Sequence, residues 1–263
     1  ETTETYTVNI YLGVSSVLAD LTATGFVHEM TPDFDADQNV YIGYVANKTS
    51  STTITAEAAD EDAKIYIYSE TDGDSKTGTG KAYDTFKLKE GLNNFRITVA
   101  TSSSSKDYTY YYLSIYRQPA KTTARVSNQT VTVNGRDKDL YCYNINGNNF
   151  IQLRDFAYIM KGQDKQFNVE YTSNTYTANL TSGEAYTGER TKSLSSNITI
   201  KATTQNLKLD GESIYPMAYN INGNNYIMLR DLCALLDIGC TYSSTSNSIS
   251  LNGNSSATYT PQN

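Results

Sequence analysis

Apolar and polar residues alternate with a two-residue period in a series of short runs, and that period marks half-buried β-strands. The runs fall at Tyr6, Val8, Ile10 and Leu12, then at 39–45, 51–56, 63–68, 85–88, 94–99 and 108–116. Gly, Asn and Asp turn residues separate them, so the first part of the chain reads as an all-β sandwich. From 118 to 128 the alternation lapses and the chain reads as a short linker.

Further along, the pattern changes. Segment 143–155 returns 76 residues later as segment 219–231, altered only at Phe150/Tyr226 and Gln152/Met228. Such self-similarity predicts a structural unit used twice. Within each unit an Asn-Gly or Asp-Gly pair (Asn134-Gly135, Asp210-Gly211) and then a second pair (Asn146-Gly147, Asn222-Gly223) predict two-residue hairpin turns, and thus a small β-meander. In 153–160 and 229–236 the apolar residues recur at three and four positions, which predicts a helix laid on a sheet. Gly162 and Gly239 stand where those helices should stop. Strand periods resume at 167–171 and 248–251, with a looser join at about 181–196. One meander and one helix leave a face uncovered, so the two units should pack together.

Two stretches carry family resemblances. Leu18, Asp20 and Leu21, then Pro32 with Asp33, Asp35 and Asp37, Tyr41, the 88–95 segment around Gly91, and the tyrosine-rich 110–117 strand together resemble the bacterial cadherin-like β-sandwich domain. Residues 129–253, with the Asn-Gly turn, the aromatic-Ile-x-Leu-Arg-Asp segment and the following apolar helix present twice, resemble the copper amine oxidase N-terminal-like domain, or stalk domain. The resulting expectation is a mainly β chain. An Ig/cadherin-like β-sandwich with an extra N-terminal strand spans 1–118, and an α+β domain of two β-meander-plus-helix repeats, about 129–180 and 198–253, occupies 119–263. The stalk resemblance implies secretion by a Gram-positive bacterium and a spacer role.

Composition narrows the function. The chain has 23 Tyr, no Trp and a formal charge of −7, with Lys and Arg dispersed. A nucleic-acid partner needs a clustered basic surface, and none is visible. No run is long and apolar enough for a transmembrane helix and no charged-then-apolar leader is seen, so the expectation is a soluble chain, or a mature fragment whose leader and anchor lie outside this sequence.

Candidate chemistry is sparse. Copper amine oxidases hold their metal with three histidines in a separate catalytic domain, whereas this chain has only His28, so no metal site, cofactor or catalytic residue is expected. His28 reads as a loop histidine. Asp33, Asp35 and Asp37, and the Asp72/Asp74 hairpin tip, offer hard oxygen ligands for calcium but lack EF-hand spacing, so turn residues are the better account. The duplicated Arg154-Asp155 and Arg230-Asp231 suit a helix start and a clamp on a neighbouring strand. Three cysteines leave one unpaired whatever the pairing: Cys233 and Cys240 are placed to bridge a helix to the next strand, while the plainer reading keeps all three, Cys142 included, as small apolar residues.

A partner or glycan contact is placed at Phe150, Tyr226, Asn149 and Asn225, where amides flank an aromatic ring. Tyr6, Val8, Ile10 and Leu12 are candidates for a donated strand that completes a neighbour's sheet. The expected function is a non-enzymatic extracellular protein that projects, spaces or adheres at a Gram-positive cell surface. The expected partner is a protein or polysaccharide there. A self-assembling fibre or surface-layer subunit, and a carbohydrate-binding module of a surface hydrolase, are the alternatives.

Overall fold

Alternation turns directly into layers. The structure is a computed structural model that describes residues 15–101, 107–120, 122–190, 194, 195, 198, 200–202 and 206–261. Eight strands occupy its first part: β1 (Leu18–Ala23), β2 (Val40–Val45), β3 (Ser51–Ala58), β4 (Lys64–Ser69), β5 (Ser75–Thr79), β6 (Lys81–Lys87), β7 (Gly91–Ala100) and β8 (Tyr108–Arg117). They run in the order β1-β3-β6-β5-β4-β7-β8-β2. The sheet folds on itself where β5 meets β6, because those strands are joined only through Thr79 and Lys81. Glycine makes that corner possible: Gly80 takes φ 66, and a Cβ on Gly78 would lie 2.0 Å from the Lys81 carbonyl oxygen. Ile54 and Ala56 of β3, Ile65 and Ile67 of β4, Phe95, Ile97 and Val99 of β7, and Leu113 and Ile115 of β8 fill the space between the two layers.

Tyrosine hydroxyls fasten the open end of this sandwich. Tyr41 Oη donates to the carbonyls of Asp35 and Gln38 at 2.6 and 2.8 Å, which shapes the aspartate-rich turn ahead of β2. Burial pushes its pKa up to about 12, so it stays a donor at any ordinary pH. Tyr111 Oη donates to the Ala36 carbonyl and accepts from the Leu18 N–H, both at 3.0 Å.

The second part contains β9 (Ala124–Val126), β10 (Thr130–Val133), β11 (Arg136–Lys138), β12 (Cys142–Ile145), β13 (Asn148–Gln152), α1 (Leu153–Met160), β14 (Phe167–Thr172) and β15 (Thr177–Ser182). There follow β16 (Ile200–Ala202), β17 (Asn206–Leu209), β18 (Glu212–Ile214), β19 (Ala218–Ile221), β20 (Asn224–Met228), α2 (Leu229–Leu235), β21 (Gly239–Ser243) and β22 (Ser248–Asn252). Asn134, Asn146, Asp210 and Asn222 all take φ near 50, each followed by a positive-φ glycine, as the hairpin turns require.

The hairpins do not join into meanders. In each copy the first hairpin leaves for another sheet: β10 pairs in parallel with β22, and β17 pairs in parallel with β15. The sheets are therefore β11-β10-β22-β21, β14-β15-β17-β18 and a central β16-β19-β20-β13-β12-β9. Each outer sheet takes strands from both copies. At the centre, β13 and β20 run antiparallel with Ile151 opposite Ile227, Phe150 opposite Met228 and Gln152 opposite Tyr226. Positions 76 residues apart thus exchange places about a local two-fold axis through the isoleucine pair. The aromatic contacts obey the same exchange, since Tyr143 meets Tyr226 edge-on at 5.2 Å and Tyr219 meets Phe150 edge-on at 5.1 Å.

Two stretches read as connections have structural work. Within 118–128, β9 forms the edge strand beside β12. Within 181–196, Tyr186 is buried in the core and Arg190 pairs with Asp155. Three residues of strand are too few for alternation to register, and a lone buried Tyr amid polar residues gives no period.

Candidate functional site

The inward residues of β4, β7 and β8 leave the alternate positions on the other side of their layer. There Tyr66 and Tyr68 of β4 stand beside Arg96 and Thr98 of β7, which stand beside Tyr108, Tyr110 and Tyr112 of β8. Register puts Arg96 between Tyr68 and Tyr112, with Tyr110 opposite Thr98. The guanidinium carbon lies 5.6 Å from the ring centres of both Tyr68 and Tyr110. Rings continue the row on each side: Tyr66 and Tyr68 stack at 6.0 Å, Tyr108 and Tyr110 lie at 4.8 Å, and Tyr110 and Tyr112 at 6.3 Å. A hydrogen bond with Tyr108 raises the pKa of Tyr110, so Tyr110 meets a partner as a neutral hydroxyl.

Cation–π contact holds the guanidinium in the row. Nη1 reaches Glu70 Oε1 at only 3.9 Å, while Nε is shielded and has no hydrogen-bond partner among the described residues. A shielded donor without an acceptor costs stability unless something supplies one. The result is a strip of amphipathic rings around one donor, with Tyr66 and Tyr108 36% and 45% exposed at its ends.

The same side of the layer disappears under the second part of the chain farther along these strands. Tyr116 is fully buried among Tyr143, Phe150, Met217, Tyr219 and Tyr226, with Tyr44 and Leu92 packed against that cluster. Burial raises the Tyr116 pKa far above its ordinary value, so its hydroxyl stays neutral within the joint. A small cavity beside it is lined by Ile42, Asn94 and Ser114 from the sandwich and by Arg230, Asp231 and Tyr259 from the second part. The joint is pinned at its rim by the Tyr215 N–H, which donates to Thr31 Oγ1 at 2.9 Å, and by His28, stacked on the Tyr215 ring at 4.9 Å. One face therefore serves two ends: half is consumed as a joint and half stays open.

The other candidates fall elsewhere. Phe150 and Tyr226 are 0% and 4% exposed, so neither ring is available to a sugar. They are the aromatic filling of the central sheet, turned inward because the Asn-Gly hairpin fixes which side of β13 and β20 faces the joint. Asn149 Nδ2 donates to Gln129 Oε1 at 2.6 Å, which ties its hairpin to the segment ahead of β10, and Asn225 Oδ1 accepts from Asn220 at 3.2 Å within its own hairpin, so both amides have structural work. Tyr6, Val8, Ile10 and Leu12 lie outside the described residues. Asp35 Oδ1 accepts the Asp37 N–H and Asp72 Oδ1 the Asp74 N–H, which shapes two exposed turns. Among the described residues no three His, Cys, Asp or Glu side chains gather as a metal site would need.

Sequence reasoning marked the tyrosine-rich strand at 110–117 but missed Arg96. The signal was present, since positions 66, 68, 96, 110 and 112 share the outward parity of their strands, but alternation does not say which strands are neighbours.

An all-β sandwich with an aromatic outer strip is the class these features define. Residues 18–118 match the family described as cadherin-like beta sandwich domain, from the first residue of β1 to one past the end of β8. No curated protein matches the chain. The family match stops at residue 118, and the stalk resemblance of 129–253 rests on its motifs alone.

Proposed function

We propose that this chain is a non-enzymatic extracellular module that projects and adheres at a Gram-positive cell surface, with a cadherin-like sandwich that binds and a stalk-type second part that spaces and orients it. The observation that carries this reading is the open tyrosine strip around Arg96. Exposed rings offer flat contact area at low entropic cost, and Arg96 Nε supplies a donor that lacks an acceptor. A chain of charge −7 repels strongly anionic polymers, so the partner is best taken as a hydroxyl-rich, weakly charged polysaccharide or a protein segment of like chemistry.

Binding of the purified chain to neutral cell-wall polysaccharide, followed by titration calorimetry, tests the reading. Tyr110→Ala and Arg96→Ala should each weaken binding about tenfold or more, the usual cost of removing a central Tyr or Arg anchor. Tyr83→Ala, at a 63% exposed ring on the opposite layer, should bind as the parent does. Equal affinity for all four proteins would sink the proposal.

A further inference from the structure

Cys233 lies in α2 and Cys240 in β21, and the turn between them decides their relation. Asp237 takes φ 50, and the Ile238 N–H donates to the Cys233 carbonyl at 2.8 Å, the reversal known as a Schellman turn. The chain therefore doubles back over the last turn of the helix and returns Cys240 to the core cluster that holds Cys233. Both thiols are free, and Cys240 packs against that buried cluster.

We propose that Cys233 and Cys240 are a disulfide site, closed by thiol–disulfide exchange with a low-molecular-weight disulfide. Their exposures suit the two roles. Cys240 is half-buried and lines an open groove with Thr132, Gly239, Asn252 and Thr258, where a small reagent can reach it. Cys233 lies behind it with no exposed surface. The hydrogen bond from Cys233 lowers the Cys240 pKa, whereas burial raises that of Cys233, so Cys240 is the thiolate that attacks first.

The Cys240 thiolate attacks one sulfur of the small disulfide, forms a mixed disulfide and releases one small thiolate. Cys233 gives up its proton, its sulfur attacks the Cys240 sulfur, and the second small thiolate leaves. Two protein thiols are thereby oxidised to one disulfide and the reagent is reduced to two thiols, which take up the released protons. Cys142 is the odd cysteine: it is buried in β12 and its pKa is pushed up to about 11 by that burial, so it takes no part. The bond would tie α2 to the β21–β22 hairpin, and β22 in turn pairs with β10 of the other copy.

Incubation of the full chain with oxidised glutathione, followed by denaturation, alkylation and peptide mapping, tests this. The expected product has lost about 2 Da, carries one alkylated cysteine at Cys142, and yields a peptide linking 233 to 240. The bridge should raise Tm by about 5 °C over the reduced chain. Cys142→Ala should behave alike, and Cys233→Ala should stop as a glutathione adduct on Cys240. A parent chain that keeps three alkylatable thiols, halts as the adduct, or bridges through Cys142 would overturn the proposal, and that readout does not depend on any variant folding.

Discussion

Asp155 and Asp231 occupy the same step of the recurring segment, third in α1 and third in α2, yet they meet different surroundings. Each braces the hairpin before its helix: Asp155 Oδ2 accepts the Tyr141 N–H at 3.1 Å, and Asp231 Oδ2 accepts the Met217 N–H at 2.7 Å. Asp155 then gains Arg190, whose Nε donates to Oδ1 at 2.6 Å and whose guanidinium also donates to the Asp139 carbonyl and lies against the Tyr141 and Tyr158 rings. Burial pushes its carboxyl up, and Arg190 and the Tyr141 N–H pull it part of the way back. Asp231 faces the joint with the sandwich, where burial outweighs the Met217 bond and the Arg230 charge and holds its pKa at about 7. A motif fixes backbone geometry, whereas charge energetics come from whatever packs on it later.

The largest expected effect lies at Asp231. Its folded-state pKa is raised from 3.8 to about 7, so between those values the folded chain holds a proton that the unfolded chain has released. This contribution is fully present below about pH 4 and is lost as pH rises through 7, a swing of about 4 kcal/mol. Asp231→Asn, which keeps an acceptor for Met217, should remove that part of the decline in urea stability measured from pH 4 to 8. A parallel slope in variant and parent would break the contrast.

Next comes Arg190. Its truncation to Ala leaves Asp155 buried without its cation, which should cost about 3 kcal/mol at pH 7 by urea denaturation. Most of that loss should disappear in the double variant Arg190→Ala/Asp155→Asn, because the stranded charge is then gone. A loss under about 0.5 kcal/mol would mean that the pair contributes no more than an exposed one.

Ile151 and Ile227 sharpen the comparison from the symmetric side. Both are 0% exposed and face each other across the local axis. Ile151→Ala and Ile227→Ala should each cost about 2–3 kcal/mol, and agree within about 0.5 kcal/mol. Unequal losses would show that the exchange of positions stops at the backbone.

Much of this architecture was legible in residue order. Alternation located most strands because one side of each meets a core, and the Asn-Gly and Asp-Gly pairs located four hairpins because few residues accept their φ values. Partnership was not legible. Period two says which side of a strand is buried but not what lies beside it, so the parallel β10–β22 and β15–β17 pairings were hidden and the hairpins were joined into meanders. The same blindness put Phe150 and Tyr226 on a surface: an aromatic residue next to amides looks like a sugar platform until the opposing aromatic cluster is known. Arg96 was hidden too, since its meaning comes from rings 28 residues before and 14 after it.

Production of the chain from its N-terminus meets the β10–β22 pairing in an awkward order. Val131 waits for Ile249, and Val133 for Leu251, so each must wait for a partner made more than a hundred residues later. The sandwich, whose described strands lie within 18–117, is free to close long before. A newly made molecule therefore carries a finished head and an unfinished base, with a bare strand edge at β10 until β22 has emerged.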